Sequence, residues 1–522
     1  MVAAPRRSRK SAGVSFVPPL PDDDPALQGL ADELPPDHLA RQIACGVDDL
    51  DLADFFASFR GQGCLPYRPD VLLRVVLYEM HSGVRSPARW CRDATESLPV
   101  RWLLQGYRPS RSVWYAFRDR LGPWLESFNA QVLARAIDAE ITPAARGALD
   151  GTLIAANASR HRLVNEETLH KRLGQLDQAV AADTQPPSPA VAADTQAPPA
   201  VPGWMAPTAA GRLGQQQRYR QADAQMQQRQ ARNAQKRKSK RTKADKIVVS
   251  TSDPQAAVGR DKEKVFRPLY NTQFVADLDS PLLLSYGVFA QPNDNGTLGP
   301  LLERQVRLTG RKPGLLLADA SYANGADLAI ADAAGVTLLA PYQANDFTAA
   351  SAGREPRQLA KQAFTWLPQE ETYRCPQGHR LEYVRASRQK RSSIETVQVH
   401  EYRCPPCHCS ACPLRERCTP NPEAGRTISR GEHDDLVEAL RQRMETDEAK
   451  ALYRLRRQTV ELANADAKEH RKLRRFSGRG LARAAAEVGL QVLVHNLLVC
   501  VGHRPTSKQE TAGSENRQKT TA

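Results

Sequence analysis

The sequence is short of three things, and each shortage excludes something. It has no apolar run approaching the ~20 residues of a membrane-spanning helix, so no membrane partner is expected. The N-terminal MVAAPRRSRKSAG is basic but is not followed by the apolar segment of a secretory signal. Acidic side chains are outnumbered, 58 Asp and Glu against 73 Lys and Arg, leaving a formal net charge of +15 and a pI of about 9.4. That surplus points to a polyanionic partner, nucleic acid before an acidic membrane surface. Cysteine is sparse except in one window: six of the ten lie between Cys375 and Cys418. Such clustering argues for metal binding in a reducing compartment rather than a disulfide framework.

With 522 residues, 41% of them hydrophobic, the chain has material for two to four domains. Residues 1–30 are rich in Pro, Arg and Asp and are expected to be disordered. From Asp37 onward the pattern is helical. PDVLLRVVLYEM (69–80) has Pro near its first turn, is apolar nearly all round and predicts a buried helix ended by Gly83. Short helices follow over 86–95 and 98–105. In YRPSRSVWYAFRDRL (107–121), Ser110 is the expected N-cap and Val113, Phe117 and Leu121 form an apolar stripe, with Arg111 and Arg118 pointing elsewhere. A compact set of short helices ending in a basic amphipathic one suits a helix-turn-helix-like DNA reader. An ordinary helical domain with a solvated basic face fits as well.

Two short apolar pieces end in aspartates. ITPAARGALDGTLIAANAS (141–159) predicts a strand broken by Asp150-Gly151-Thr152. GLLLADASY (314–322) predicts a buried strand that stops at Asp319, followed by a helix over DLAIADAAG and a strand in VTLLAPY (336–342). Reactive groups gather where such strands end. IVVSTSDPQAAV, FRPLYNTQFVADLDS and PLLLSYGVFA alternate as strands should, so a mixed α/β sheet is expected. Residues 179–202 repeat AVAADTQ and are expected to form a linker or surface loop. Residues 215–246, Gln-rich and then basic, predict an exposed helix or arm able to meet phosphates.

YRCPQGHRLEY and YRCPPCHCSACPLRERC carry two C-x-x-C pairs, Cys404/Cys407 and Cys409/Cys412, a spacing that lets two thiolates reach one tetrahedral zinc. There are more candidate ligands here than one ion needs. The last block, 436–503, predicts two helices around RRFSGRG. YRLRRQTVELANADAKEHRK would put Arg457, Glu461 and Lys468 on one helix face, and LARAAAEVGLQVLVHNLLVCV would return to pack on the sheet.

Taken in order along one chain, LDGTLIAANAS, LLLADASY and the Arg457–Glu461–Lys468 stretch followed by RRFSGRGL resemble the DDE transposases of bacterial insertion sequences. More narrowly, they are similar to the subgroup whose third motif carries Tyr, Arg, Glu and Lys on one helix. YRPDVLLRVVLYEMHSGVRS, SDPQA and the Cys-rich stretch ending in CPLRERC extend the resemblance over most of 35–503. It implies an α/β fold: an RNase H-like mixed-sheet core over 141–365, interrupted by a low-complexity and basic insertion at 179–245. A helical, helix-turn-helix-like DNA-binding domain would span 31–140, a Cys-rich zinc-binding insertion 366–425 and core-completing helices 436–503, with tails at 1–30 and 504–522.

The resemblance further implies that Asp150, Asp319 and Glu461 are the catalytic carboxylates, holding two Mg²⁺ or Mn²⁺ ions for DNA strand cleavage and transfer. Tyr453, Arg456 or Arg457, and Lys468 would lie near the DNA phosphates, with Arg474, Arg475, Arg111 and Arg118 as further DNA contacts. Cys375, Cys409, Cys412 and Cys418 would hold zinc. The partner would be double-stranded DNA, element ends and target, bound in the cytoplasm by a homodimer in a synaptic complex. The chain departs from the family in Ser321, where Gly is common, and in ELANADAK, where Pro, Phe and Gly often follow the Glu. The alternative is a transposase-derived DNA-binding protein that no longer cuts.

Overall fold

The computed structural model describes residues 15–59, 65–184, 201–236, 238–342, 359–390 and 396–503. Residues 1–14 of the tail expected over 1–30, the tail expected over 504–522, and residues 185–200 of the repeat expected over 179–202 lie outside them. The described chain combines helices with sheets and divides into two compact units. The first holds Met1–Met226, Asp245–Leu316 and Arg454–Ala522, and the second Gln227–Ala244 and Leu317–Tyr453.

The first unit opens with eight helices: α1 Pro25–Asp32, α2 Leu39–Asp48, α3 Ala53–Ala57, α4 Pro69–His81, α5 Pro87–Glu96, α6 Leu98–Leu103, α7 Arg111–Leu121 and α8 Leu125–Asp138. The expected N-terminal disorder is corrected from residue 15 onward. Phe16 meets Phe56 edge-on at 5.3 Å, the Val17 amide donates to Pro66, and α1 is capped by Asp24. The Pro-rich composition hid a segment fixed by tertiary contacts. α4 is buried along nearly its whole length, with Pro69 in its first turn and Gly83 just past its end at φ +73°. Ser110 caps α7 as expected, and Trp114, Phe117 and Leu121 are its buried residues.

The sheet of this unit is built on β1 (Arg146–Ala155). β2 (Leu163–Val164) pairs with β3 (Val249–Ser250), while β4 (Ala257–Arg260), β5 (Phe266–Asp277) and β6 (Leu283–Phe289) continue the sheet. β5 runs antiparallel to β1 with Asp150 opposite Phe274, and its other edge is shared by β4 and β6. β1 is continuous, which corrects the expected break at Asp150-Gly151-Thr152. Between β2 and β3 the chain makes a helical hairpin, α9 (Glu166–Thr184) and α10 (Ala209–Ala234). So residues 179–184 of the expected linker are helical. The expected exposed arm is a helix whose Tyr219, Ala222 and Met226 share a small core with Leu169 and Leu176 of α9.

The helix Leu481–Gly502 corrects a second expectation. It is long and apolar enough to cross a membrane, with mean hydropathy 1.7, but 61% of that stretch is buried inside the protein. It packs on β6, as expected, and also on α2, α4 and α8. Leu490, Leu493, Val494 and Leu497 complete the core of the N-terminal helices. A Cβ on Gly46 of α2 would meet Leu497 at 2.2 Å, so only glycine lets the two helices approach this closely. The Asn496 side chain pairs with both backbone groups of Leu283, fixing the helix to β6 at 2.9 Å each way.

In the second unit, the helix Gly325–Ala333 and the strand β8 (Thr337–Leu339) follow as expected and pack with the helix Asp434–Glu445. Between them lies a five-stranded antiparallel sheet, order β13-β12-β11-β10-β9: Thr427–Gly431, Thr396–Arg403, Arg380–Lys390, Thr372–Arg374 and Thr365–Leu367. Phe364, Tyr373, Tyr402 and Ile428 make its core together with the cysteines.

Candidate functional site

Asp150 stands in mid-strand on β1, its side chain 17% exposed. Gly151 follows because a Cβ there would lie 2.2 Å from Gln273 and 2.8 Å from Asp294. The third motif approaches Asp150 in an unexpected register. YRLRRQTVELANADAKEHRK is not one helix: Asp447–Gln458 and Val460–Glu469 are separated at Thr459, where φ is −118° and ψ −90°. Arg457, Glu461 and Lys468 therefore do not share one unbroken face, and Arg457 is exposed.

The break turns Arg456 inward instead. Its Nη2 donates to Asp150 at 2.6 Å, its Nη1 to Glu461 at 3.0 Å, and its Nε to the Leu149 carbonyl at 3.4 Å. Asn464 donates to the second Asp150 oxygen at 2.8 Å. One buried guanidinium thus holds the strand carboxylate and the helix carboxylate together, and charge-assisted bonds of this kind are the strong ones. Glu461 remains 45% exposed and open to a ligand. Lys468 is half-buried on the same helix. Burial first, then Lys262 and Arg474, lower its pKa, while Asp150 raises it. Sequence reasoning missed Asn464; its spacing of three from Glu461 on one helix was the available signal.

Behind this group, the RRFSGRG loop is tightly held. Buried Glu487 accepts from the Ser477 amide at 2.9 Å and hydroxyl at 2.7 Å and pairs with Arg85. The SDPQA motif does related work. Asp253 accepts from Tyr270 at 2.8 Å and from the Gly480 amide at 3.2 Å, and Gln255 accepts from the Leu481 amide at 2.8 Å, at the start of the last long helix. Arg474 pairs with Glu469, and Arg475 donates to the Ala158 carbonyl at 3.3 Å; both are exposed. In the N-terminal helices, Arg111 is exposed, whereas Arg118 pairs with Asp119 at 2.8 Å.

Asp319 and Tyr453 belong to the second unit. Asp319 follows the strand β7 (Leu315–Leu317) and caps a short turn, accepting from the Ser321 amide at 2.8 Å and hydroxyl at 2.6 Å. Ser321, a departure from the family, therefore fixes the carboxylate's orientation. Tyr453 is half-buried.

The same unit gathers cysteines. Cys375, Cys404, Cys409, Cys412 and Cys418 line one small apolar cavity, with His379 and His408 stacked 4.1 Å apart beside it. Cys404 is buried and hydrogen-bonded to Cys409, and burial is the first cause that pushes its thiol up. Cys407, its C-x-x-C neighbour, is exposed. Among the described residues, no three His, Cys, Asp or Glu side chains are set to hold an ion.

Fold and site define a class: an α/β protein with a carboxylate on its central strand and another on a late helix, joined by one arginine within a basic surround. Residues 374–500 match the family model described as Transposase DDE domain, and residues 28–120 match Transposase domain (DUF772). Both matches are to transposase domains, and together they support a DDE-type transposase of the insertion-sequence kind. The DDE-domain match includes Glu461 but stops short of Asp150 and Asp319. No curated protein and no solved structure matches the chain.

Proposed function

We propose that the protein binds the ends of its element and cuts and rejoins DNA strands, with Asp150, Asp319 and Glu461 as the metal-holding carboxylates of an RNase H-like core. The observation that carries this reading is the Arg456 clamp, which gathers the first- and third-motif carboxylates around one positive charge. The order β6, β5, β1 and then the start of β7 supports the core assignment. The donor set is all oxygen, which suits a hard divalent ion such as Mg²⁺ or Mn²⁺. Bound there, such ions supply activation of the attacking hydroxyl and neutralisation of the leaving oxygen. Asn464 and Arg456 orient Asp150, Lys468 offers charge to the phosphates, and Arg474 and Arg475 extend that charge along the strand; Arg456, buried between the two carboxylates, positions them instead of meeting the phosphates as expected. Tyr453, Arg111 and Arg118 are assigned to DNA contact in the same reading, the last after release from Asp119. The protein works in the cytoplasm as a homodimer that brings two ends together.

A second reading, a DNA-binding descendant that no longer cuts, is favoured by the same arginine, which already neutralises two carboxylates. A labelled duplex carrying the flanking element end, incubated with Mg²⁺ or with EDTA, separates the two. Metal-dependent strand products support the transposase. Tight binding of the correct end without products under either condition supports the descendant.

For the second unit, Cys375, Cys409, Cys412 and Cys418 are proposed to hold zinc, with Cys404 a further candidate thiol; sulfur donors gathered at one small apolar cavity suit that ion. Protein purified without chelator is expected to carry about one zinc per chain, as structural sites do, and Cys409→Ser to lose most of it. A metal content near zero in wild type would remove zinc from the account.

A further inference from the structure

One cavity in the first unit is used by none of the foregoing. It measures about 600 Å³ and lies between the α9–α10 hairpin, the β2–β3 pair and the RRFSGRG loop. Arg162, Arg172, Arg218 and Arg479 line it, with Asp245 as the one acidic residue of its wall. None of these four arginines has a carboxylate within ion-pair distance among the described residues. Burial, and then the charge of Arg479, lowers the pKa of Arg218, while the same Arg479 charge opposes the burial that raises Asp253. Gathering four guanidiniums around one carboxylate of the wall is costly unless a further anion joins them.

The wall also offers an aromatic surface. Trp204 lines the cavity, with the Arg172 guanidinium 5.1 Å from its ring centre and Tyr219 5.9 Å away. Arginines that track a phosphate backbone and an aromatic face on which bases stack are the two parts of a single-strand binding site. A hole of this volume falls in the range of small-ligand pockets and admits a nucleotide rather than a duplex.

Its position adds a third argument. Ala155, at the end of β1, is bridged to Arg475 of the RRFSGRG loop. At about 3.3 Å per residue, that point lies roughly 17 Å along the strand from Asp150. This is about five stacked nucleotides, each 3.4 Å along a strand. Arg479 then stands at the cavity, its Nε bonded to the Asn157 carbonyl at 3.2 Å.

We infer that this cavity receives an unpaired nucleotide of the DNA strand that passes Asp150, its phosphate held by Arg218 and Arg479 and its base laid on Trp204. The inference rests on the DNA-processing reading but concerns binding alone.

The test uses full-length protein carrying Asp150→Asn, so that the probe survives, and fluorescence anisotropy with a 15-nucleotide labelled single strand and its blunt duplex. Trp204→Ala is expected to weaken single-strand binding about tenfold, as the loss of one stacked base does. It should leave duplex binding within about twofold. Trp204→Phe should keep most of the affinity, because it retains a stacking face. Arg218→Gln, on a half-exposed wall position, should lower single-strand affinity and flatten its salt dependence by about one unit of slope. Equal losses for single strand and duplex, or none for either substitution, would overturn the inference. So would a free deoxynucleoside monophosphate that binds as tightly as the oligonucleotide, since the cavity would then be a free-nucleotide site. Metal-dependent cleavage that is absent while these differences persist counts against the proposed reaction and not against the cavity.

Discussion

Asp150→Asn is expected to abolish strand cleavage, by a factor on the order of 10³ or more, while end binding stays within about twofold. Asparagine keeps the shape of the side chain and one acceptor for Arg456 or Asn464. What it removes is the negative charge, the one property that the proposed phosphoryl transfer with divalent ions would need there. Asp319→Asn should give a loss of the same size. That comparison is informative because Asp319 belongs to the second unit and has its own local role, capping the turn at Ser321. If Asp319→Asn cleaved normally while Asp150→Asn did not, Asp319 would be a structural cap and the three-carboxylate assignment would fail. A quench-flow or gel assay on one labelled end, with binding measured in parallel, decides it.

Leu493→Ala carries the largest expected cost in stability, about 3–5 kcal/mol, in the upper range for truncating a buried leucine. Leu493 is fully buried, in a core that the helix Leu481–Gly502 shares with α2, α4 and α8. Opposite Leu493, the N-terminal helices cannot collapse into the vacated space without losing their contact with that helix. Because the helix also holds β6 through Asn496, the damage should spread. Hydrogen exchange should show α2, α4, α8 and β6 losing protection together, with the midpoint of urea unfolding lowered. Loss confined to the substituted helix would mean that the shared core is not cooperative.

Much of this architecture was legible in the residues. Pro69 and the apolar run after it define α4, Ser110 fixes the start of α7, and the short run Leu315–Leu317 ends beside Asp319 as expected. Asp150 and Glu461 were singled out from their motifs alone, and in the structure both accept from Arg456. The helix break at Thr459 was not, because QTVELANADAK contains no Gly or Pro and the break serves the inward turn of Arg456. That is why the arginine's register stayed open between 456 and 457. Cys404 and Cys407 share one motif, and only tertiary burial separates the enclosed thiol from the exposed one. The segment from residue 15 to α1 looked featureless because aromatic contacts made across the fold leave no local periodicity.

The last long helix sets an order of events. The N-terminal helices leave the ribosome first, yet the leucines that close their core arrive some 350 residues later. At roughly 5–20 residues per second, synthesis leaves them unsealed for tens of seconds. A nascent chain halted before Leu481 should therefore be cut by protease within α2 and α4, where the finished protein is not; equal resistance in both would show that those helices close on their own. A chain that stops before Leu481 would lack the residues that seal the N-terminal core.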